Sequence, residues 1–266
     1  MINLITTPVC CLILLWSVIE PKAQPIFDRF FYCQTKDMKN NIMGKKLLFI
    51  TAHPDDECYL AAGTMLANQS AKGKNYVICA TLGEKGKHHY SKKISESNLK
   101  KIRKKELLRV SRLIKIHKLF ILNMSDGRLI SQIATLTNKV KNITKKLNPD
   151  FIISFGPDGI TGHLDHLACF RVATIITIKL GIPFIKFSLP PSVIPNAKKH
   201  LHLRRKNSQY TSNFEYTFPN IKIIVSPRLK LKALQMHASQ HKNNDPFYTF
   251  PKHQAKELLR GEYFVA

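Results

Sequence analysis

Strand-like and helix-like segments alternate along most of this chain, and this alternation limits its fold more than any other feature. Short apolar, β-branched runs predict buried strands, and a segment with helical periodicity follows each of them. The predicted order is strand 46–51, helix 57–71, strand 75–82, helix 95–115, strand 118–122, helix 130–147, strand 151–155 and helix 165–180. This order predicts an α/β fold, in which a mainly parallel sheet carries helices on both faces. A chain of 266 residues is long enough to bury a substantial core in this way.

The sequence after residue 180 is less regular. Prolines interrupt residues 181–226, and residues 198–213 are basic and polar, which indicates an exposed insertion or lid. We predict a strand at 221–225, a long final helix at 227–241 and a short helix at 252–260. The predicted organisation is one domain over residues 44–266, preceded by an apolar segment and linker at 1–43.

The amino-terminal segment has more than one interpretation. Val9–Ile19 is an apolar run with the length of a signal-peptide core, well short of the ~20 residues of a membrane-spanning helix. No Lys or Arg precedes it, and the cleavage-site match that follows is poor. The segment is therefore a weak signal, a monotopic anchor, or a wrongly assigned start joined to a linker.

The six cysteines give a separate indication of the cellular compartment. They form no C-x-x-C pair and have no disulfide-like spacing. Cys58, Cys79 and Cys169 fall at predicted core positions, as buried free thiols do. This usage favours a reducing compartment, so we predict a cytoplasmic protein. Export or membrane association through residues 9–19 is the alternative.

A first group of polar side chains directly follows the first predicted strand. His53, Asp55, Asp56 and Glu57 lie in the turn between that strand and the next helix. Open α/β sheets bind ligands there, outside the carboxyl ends of their strands. A neutral imidazole and a carboxylate three residues apart can both bind one metal ion, and Pro54 stiffens the turn between them. This turn therefore predicts half of a metal site.

A second group follows the fourth predicted strand. A loop with several glycines leads to His163, Asp165 and His166, just before helical periodicity resumes. Parallel neighbouring strands would bring both groups to the same edge of the sheet. His53, Asp56 and His166 would then supply two nitrogens and one oxygen and leave a coordination position open, as in catalytic rather than structural zinc sites.

At these residues the chain resembles the LmbE-like, or PIG-L-type, zinc-dependent de-N-acetylase family. The resemblance covers most of residues 45–264. Its motifs occur in the family's order: AHPDDE (52–57), TLGEKG (81–86), R-x-x-E-L (103–107), SDGRL (125–129), FGPDGITGHLDH (155–166) and ALQMHASQ (233–240). The first and fifth are specific together, and the others are weak alone. At Leu164 the chain departs from the proline of many relatives, which should alter loop stiffness more than chemistry.

The resemblance implies a Rossmann-like fold and hydrolysis of an N-acetyl group, commonly from a glucosamine-containing conjugate. It also implies that His53, Asp56 and His166 bind Zn²⁺, that Asp55 is the general base, and that His163 stabilises the oxyanion or protonates the product. The chemistry of these residues is consistent with those roles. Zinc lowers the pKa of a bound water from ~16 to ~7, and that water can then attack an amide. A protonated His163 would stabilise the resulting oxyanion.

Several other polar residues have a functional and a structural interpretation. Asp165 is predicted to assist catalysis by hydrogen-bonding an imidazole and fixing its tautomer, or else to cap a helix. Glu57, in the first turn of a helix, is interpreted as a complement to the helix dipole. His237 would contact the site or lie exposed or capped, and His88 and His89 are interpreted as surface groups.

Arg103 and Asp126 are the predicted substrate-binding residues. Arg103 would hold a sugar or phosphate group, although it lies in a strongly basic helix whose charged side chains usually face solvent. Asp126 would bond sugar hydroxyls, or make an Asx turn before Gly127.

The net charge of +25 bears on the choice of partner. Basic residues are concentrated in 85–118 and 198–206, outside the predicted metal site. Such a field attracts nucleic acid, an anionic membrane or an anionic substrate. We do not expect a nucleic-acid partner, because helix-turn-helix, zinc-finger and aromatic-interleaved basic patterns are all missing from the sequence. We interpret part of the charge as a genome bias towards lysine and asparagine.

The sequence therefore predicts a zinc-dependent hydrolase that removes an N-acetyl group from a small N-acetylglucosamine-type glycoconjugate. Two alternatives stay open. One is a related amidase that acts on another amide. The other is a cationic protein that keeps this fold but binds nucleic acid or a membrane surface, which would not need the intact set of histidines and aspartates.

Overall fold

The computed structural model describes residues 42–90, 93–197, 209–211 and 215–266. The strands are β1 (Lys46–Thr51), β2 (Lys74–Thr81), β3 (Lys118–Met124), β4 (Phe151–Ser154), β5 (Phe184–Ser188), β6 (Ile221–Ile224) and β7 (Gly261–Val265). The helices include α1 (Asp56–Ser70), α2 (Glu96–Leu113), α3 (Ile133–Leu147), α4 (Gly159–Gly162), α5 (Leu164–Leu180), α6 (Pro227–Gln235) and α7 (Lys252–Arg260). Residues 1–41 of the predicted segment 1–43, and most of the predicted insertion at 198–213, lie outside the described residues.

A seven-stranded sheet in the order β3-β2-β1-β4-β5-β7-β6 forms the centre of the fold. Strands β1 to β5 pair in parallel with their neighbours, whereas β7 pairs antiparallel with both β5 and β6. Helices flank the sheet, with α1 packed against α6 and α3 packed against α5. The predicted α/β fold with a mainly parallel sheet is confirmed.

The central strands are apolar on both faces, as parallel strands covered by helices must be. Leu47, Leu48, Phe49 and Ile50 of β1 are all fully buried, and β2 continues the same core. The predicted strands and helices up to residue 180 are confirmed to within a few residues of their ends. The three predicted core cysteines are indeed buried free thiols.

Strands β5 and β7 were not predicted. Prolines flank β5 closely, and β7 follows α7 without an intervening turn residue. β7 also carries Glu262 in its interior, which is unusual for a buried strand. The carboxylate of Glu262 is satisfied by Lys230, whose Nζ lies 3.2 Å away, and by the backbone N–H groups of Gly63 and Thr64. These partners are distant in sequence, so local patterns do not reveal the strand.

The predicted helix over 227–241 is wrong in its second half. Helix α6 ends at Gln235, and a short 3₁₀ turn at Ala238–Gln240 follows it. Between them the backbone of His237 leaves helical angles, and its side chain is fully buried. A tertiary contact of that side chain thus overrides the local helical pattern. Among the described residues, we find no helix with the length and apolar character needed to cross a bilayer.

Candidate functional site

The two predicted polar groups meet because β1 and β4 are parallel neighbours in the sheet. The loop after β1 carries His53, Asp55 and Asp56, and the loop after β4 leads to His163 and His166. Both loops leave the sheet at its carboxyl edge. The centroids of the imidazole rings of His53 and His166 lie 5.2 Å apart, and those of His53 and His163 lie 4.8 Å apart.

Three potential ligand groups face one another in this place, and we call His53, Asp56 and His166 the metal cluster. The Nδ1 atom of His53 lies 3.2 Å from Nε2 of His166. That Nε2 atom lies 3.4 Å from Oδ1 of Asp56, and Nδ1 of His53 lies 3.8 Å from Oδ2 of the same carboxylate. All three side chains are largely buried.

His166 is fixed by its other ring nitrogen. Nδ1 lies 2.8 Å from the carbonyl oxygen of Gly159, and the ring stacks on Phe155 with centroids 4.0 Å apart. A carbonyl oxygen can only accept a hydrogen bond, so Nδ1 carries the proton. In the neutral imidazole, Nε2 therefore presents a lone pair to the metal cluster.

His53 is fixed in the complementary way by two carboxylates. Its Nε2 atom lies 3.1 Å from Oδ1 of Asp126 and 3.4 Å from Oδ2 of Asp165. Burial lowers the pKa of His53, but these carboxylates and Asp56 outweigh burial and hold the pKa well above its usual value. Ionised carboxylates only accept, so Nε2 carries a proton, and Nδ1 is the ring nitrogen that faces His166. A metal ion bound at Nδ1 would replace the second proton that the raised pKa favours.

Asp165 and Asp126 are themselves held by backbone amides. Asp165 is fully buried and accepts N–H groups from Gly127 at 2.7 Å and from Leu129 at 2.9 Å. Asp126 accepts the N–H of Lys85 at 2.9 Å. The alternative interpretation of Asp165 as a helix cap is wrong, because the side chain that caps α5 belongs to another residue, His163.

Asp56 completes the metal cluster. Its Oδ2 atom accepts the backbone N–H groups of Ala52 at 3.0 Å and His53 at 2.8 Å. Burial raises the pKa of Asp56, but His166, His53 and the backbone N–H bond outweigh burial and hold the pKa well below its usual value. Oδ1 is left to face His166. Nδ1 of His53 and Nε2 of His166 lie 3.2 Å apart beside this oxygen, a separation that needs a proton or another cation between the two nitrogens. The donor set therefore fits a divalent metal ion.

Asp55 lies next to the metal cluster in a strained conformation. Its backbone has a φ of 107° in the left-handed region, and its N–H donates to Oε2 of Glu57 at 3.0 Å. Burial raises the pKa of Asp55 to about 6, although the nearby guanidinium of Arg103 lowers it. A carboxylate with this pKa can accept and release a proton near neutrality.

Arg103 contacts this turn and does not face solvent. It is 3% exposed, so the interpretation of this residue as part of a solvated cationic face is wrong. Its guanidinium donates to the carbonyl oxygens of Pro54 at 2.5 Å and Gly83 at 2.9 Å, and Nη2 lies 3.4 Å from Oδ2 of Asp55. Arg103 therefore links the loop after β2 to the turn that carries Asp55.

Glu57 and His237 form a buried pair that the sequence did not predict. Nε2 of His237 lies 2.7 Å from Oε1 of Glu57, and both side chains are fully buried. Glu57 thus does more than complement a helix dipole, and His237 is neither exposed nor on a helix. The sequence feature that could have identified His237 is the ALQMHASQ motif (233–240), in which polar residues follow an apolar helical pattern.

His163 lies at the start of α5, beside His53. Its Nδ1 accepts the backbone N–H of Asp165 at 3.1 Å, which leaves the ring proton on Nε2. Burial, together with the neighbouring rings of His53 and His166, lowers the pKa of His163 to about 3. The imidazole is therefore neutral near pH 7, whereas the sequence led us to expect a protonated ring.

The two histidines interpreted as surface groups lie in the loop after β2. His88 is half-buried, and Nε2 of the exposed His89 lies 3.3 Å from the hydroxyl of Tyr248.

Comparison with known sequences matches this chain to proteins that are named as deacetylases. A sequence model of the family described as PIG-L, GlcNAc-PI de-N-acetylase, matches residues 48–177. A probable N-acetyl-alpha-D-glucosaminyl L-malate deacetylase 2 from Bacillus anthracis is 31% identical over 205 residues, which make up 76% of this chain and 83% of that protein. A 1D-myo-inositol 2-acetamido-2-deoxy-alpha-D-glucopyranoside deacetylase from Corynebacterium diphtheriae is 27% identical over 172 residues, 57% of this chain and 58% of that protein.

The fold is also similar to a solved structure. The N,N'-diacetylchitobiose deacetylase from Pyrococcus horikoshii superposes with a TM-score of 0.60 at 24% identity, over 83% of each chain. At this identity the similarity establishes the α/β fold. The family model covers the two motifs that carry the polar side chains of the site, at 52–57 and 155–166. The match to the Bacillus anthracis protein extends over most of both chains. The chain belongs to the PIG-L, or LmbE-like, family.

Proposed function

We propose that this protein is a zinc-dependent hydrolase that removes the N-acetyl group of an N-acetylglucosamine-type conjugate. The observation that carries the proposal is the set of two imidazole nitrogens and one carboxylate oxygen that converge beside Asp55. Three protein ligands of this type, with one position left open, are the usual ligand set of catalytic zinc. The relatives named above as deacetylases act on glucosaminyl malate and glucosaminyl inositol compounds, which supports a small glycoconjugate as substrate.

When bound, zinc would supply a Lewis acid and lower the pKa of a coordinated water. Asp55 accepts the proton of the attacking water as oxygen adds to the acetamide carbon. The neutral Nε2–H of His163 donates to the developing oxyanion. Asp55 then returns the proton to the amine nitrogen as the carbon–nitrogen bond breaks, so the products are acetate and a free amine.

The remaining residues hold this arrangement in place. Asp126 and Asp165 fix the tautomer of His53 through its Nε2 atom. Arg103 and Glu57 hold the turn that carries Asp55. Because Nη1 and Nη2 of Arg103 and both carboxylate oxygens of Asp126 already bind protein groups, we assign both residues to positioning and not to direct contact with the sugar.

The first experiment measures the metal content of the purified protein and then acetate release from a panel of N-acetylglucosamine conjugates. We expect one zinc per chain and acetate release from at least one conjugate. His166→Ala should lose zinc, and Asp55→Asn should keep zinc but lose ~10²–10⁴-fold in activity. The matched control is His253→Ala, which removes an exposed histidine of α7 and should keep both properties.

Two results would contradict the proposal in different ways. Stoichiometric zinc in His166→Ala would show that the ligand assignment is wrong. Stoichiometric zinc in the wild type without acetate release from any conjugate would keep the metal site but reject the N-acetylglucosamine-type substrate.

A further inference from the structure

A mostly apolar cavity of about 310 Å³ lies beside the metal cluster. Asp56 and His166 form part of its wall, so a group inside the cavity is adjacent to the reaction centre. The apolar part of the wall includes Leu60, Ile160, Leu189, Val193, Phe250 and Leu258. A cavity of this size with few polar groups is typical of a ligand site.

The acetyl group of the proposed substrate leaves most of this cavity unused. The methyl of an acetamide is about as large as one water molecule, whose share of liquid volume is ~30 Å³. It would therefore occupy roughly a tenth of the 310 Å³. The rest of the cavity is available to the other part of the substrate, the glycoside that carries the scissile nitrogen.

The wall of the cavity offers few hydrogen-bonding partners to a sugar ring. The hydroxyl of Tyr59 already donates to the carbonyl oxygen of Pro246 at 2.8 Å, and the hydroxyl of Tyr216 donates to the carbonyl oxygen of Ile160 at 3.1 Å. A hexose carries several hydroxyl groups, and each one that leaves water without gaining a partner weakens binding. An apolar group loses no hydrogen bond in such a cavity and is stabilised by leaving water.

The aglycone is the part of a glycoconjugate that begins beside the scissile amide. In a 2-acetamido sugar, the anomeric carbon is bonded directly to the carbon that bears the nitrogen. The group on the anomeric oxygen therefore leaves the sugar beside the metal cluster, whereas substituents at C4 and C6 leave it from the far end of the ring. C3 is the other neighbour of the nitrogen-bearing carbon, so a substituent on its oxygen is the alternative occupant. A conjugate joined through its anomeric carbon favours the aglycone.

We propose that this cavity binds the aglycone of the N-acetylglucosamine conjugate, and that this aglycone is a compact apolar group about as large as a benzyl group. An apolar cavity of ~150 Å³ is enough to hold benzene, so 310 Å³ accommodates a ring with its linking atoms. The inference rests on the proposed function, since it assumes amide hydrolysis at the metal cluster. It goes beyond that function because malate and inositol, which the names of the relatives contain, are polar groups.

The test compares three N-acetylglucosamine derivatives on the zinc-loaded protein: the methyl glycoside, the benzyl glycoside, and the methyl glycoside with a 3-O-benzyl group. Each is tested as both anomers. Acetate release gives kcat/KM, and calorimetry on Asp55→Asn measures binding without turnover. Because the ring leaves water, the preferred benzyl anomer should exceed the corresponding methyl glycoside by at least about 10-fold in both measurements, mainly through KM. The 3-O-benzyl derivative should show no such gain.

A pair of variants tests the location of the aglycone. Ala197→Phe fills the cavity from a half-buried position of its wall and should abolish the preference for the benzyl glycoside. Ala134→Phe makes the same change at an exposed position of α3 and should keep the preference of the wild type. Leu258→Ala removes apolar wall and should give a smaller decrease, which tests the location if Ala197→Phe does not fold.

The outcomes separate this inference from the proposed function. Equal binding and turnover of the benzyl and methyl glycosides would overturn the aglycone assignment and leave the proposed function intact. A preference for the 3-O-benzyl derivative, or a benzyl preference that survives both cavity variants, would also overturn the assignment. Tighter binding of the benzyl glycoside without acetate release from any derivative would support the cavity assignment and overturn the hydrolase proposal.

Discussion

The Nε2 atom of His237 lies 2.7 Å from Oε1 of Glu57, although 180 residues separate them in the chain. The other oxygen of Glu57 accepts the backbone N–H of Asp55. The segment after α6 therefore supports, through one buried carboxylate, the strained turn between β1 and α1. The contribution of this contact to the free energy of unfolding can be measured separately from enzymatic activity.

His237→Leu should destabilise the protein strongly. It leaves the carboxylate of Glu57 buried without its main partner, and breaking a buried ion pair in this way costs about 3–5 kcal/mol. Urea unfolding of the metal-free protein measures the loss. His253→Leu, at an exposed position, is the control and should change the free energy of unfolding by less than about 0.5 kcal/mol. The double variant Glu57→Leu/His237→Leu should recover part of the loss, and a double variant no better than the single one would argue against the ion pair.

The contribution of this pair should depend on pH. Burial lowers the pKa of His237, but the carboxylate of Glu57 outweighs burial and raises the pKa above its usual value. A histidine with a raised folded pKa stabilises the fold fully below the unfolded value of about 6.5 and loses that contribution as pH rises through the folded value. The free energy of unfolding of the wild type should therefore fall, relative to that of Glu57→Leu/His237→Leu, as pH rises from about 6.5 into the alkaline range. If the free energy of unfolding of the wild type instead rises relative to that of the double variant over this range, His237 is buried in its neutral form.

The metal cluster could be predicted from the sequence because its geometry follows from local patterns. His53 and His166 each follow a predicted strand, and parallel neighbouring strands end at the same sheet edge. This rule about strand ends applies without any prediction of the segments that connect the two strands. The strand order in the structure makes β1 and β4 direct neighbours, which is the arrangement the prediction required.

The support of the cluster could not be predicted, because it depends on contacts between distant segments. Arg103 belongs to a lysine-rich run, and its position alone did not distinguish it from the exposed lysines around it. Its burial follows from a carbonyl oxygen after β2 and another in the turn before α1. Glu57 and His237 likewise find each other only after the sheet has formed. Tertiary contacts of this kind leave no periodic signal in the sequence.

Gly83→Ala should lower activity through Arg103. The residue has a φ of +63°, and an added Cβ would lie 2.0 Å from Nη1 of Arg103, so the guanidinium must move away from Pro54 and Asp55. A displacement of this size in a catalytic site costs about 10²-fold in kcat. Gly181→Ala is a matched control, because it has a φ of +66° but nothing within 4 Å of the added Cβ.

Both glycine variants should lose about 1–2 kcal/mol of stability from the left-handed backbone. Only Gly83→Ala should lose kcat while it keeps its zinc. Unfolding curves, metal content and steady-state kinetics on both proteins separate the two effects. Equal kinetics for the two variants would remove Arg103 from the positioning of Asp55.

Asp126→Asn distinguishes a role in metal binding from a role in substrate binding. Both oxygens of Asp126 are acceptors, since Oδ1 lies 3.1 Å from Nε2 of His53 and Oδ2 accepts the N–H of Lys85. An amide has only one acceptor oxygen, so it cannot serve both donors and weakens the hold on the His53 proton. We expect zinc affinity to fall about 10–100-fold, the usual effect of losing such a partner. Competition with a chelator of known affinity measures this change. Asp150→Asn is the control, since that carboxylate accepts the N–H of Lys46 at the start of β1, away from the metal cluster. A raised KM with unchanged zinc affinity would instead support direct contact between Asp126 and the sugar hydroxyls.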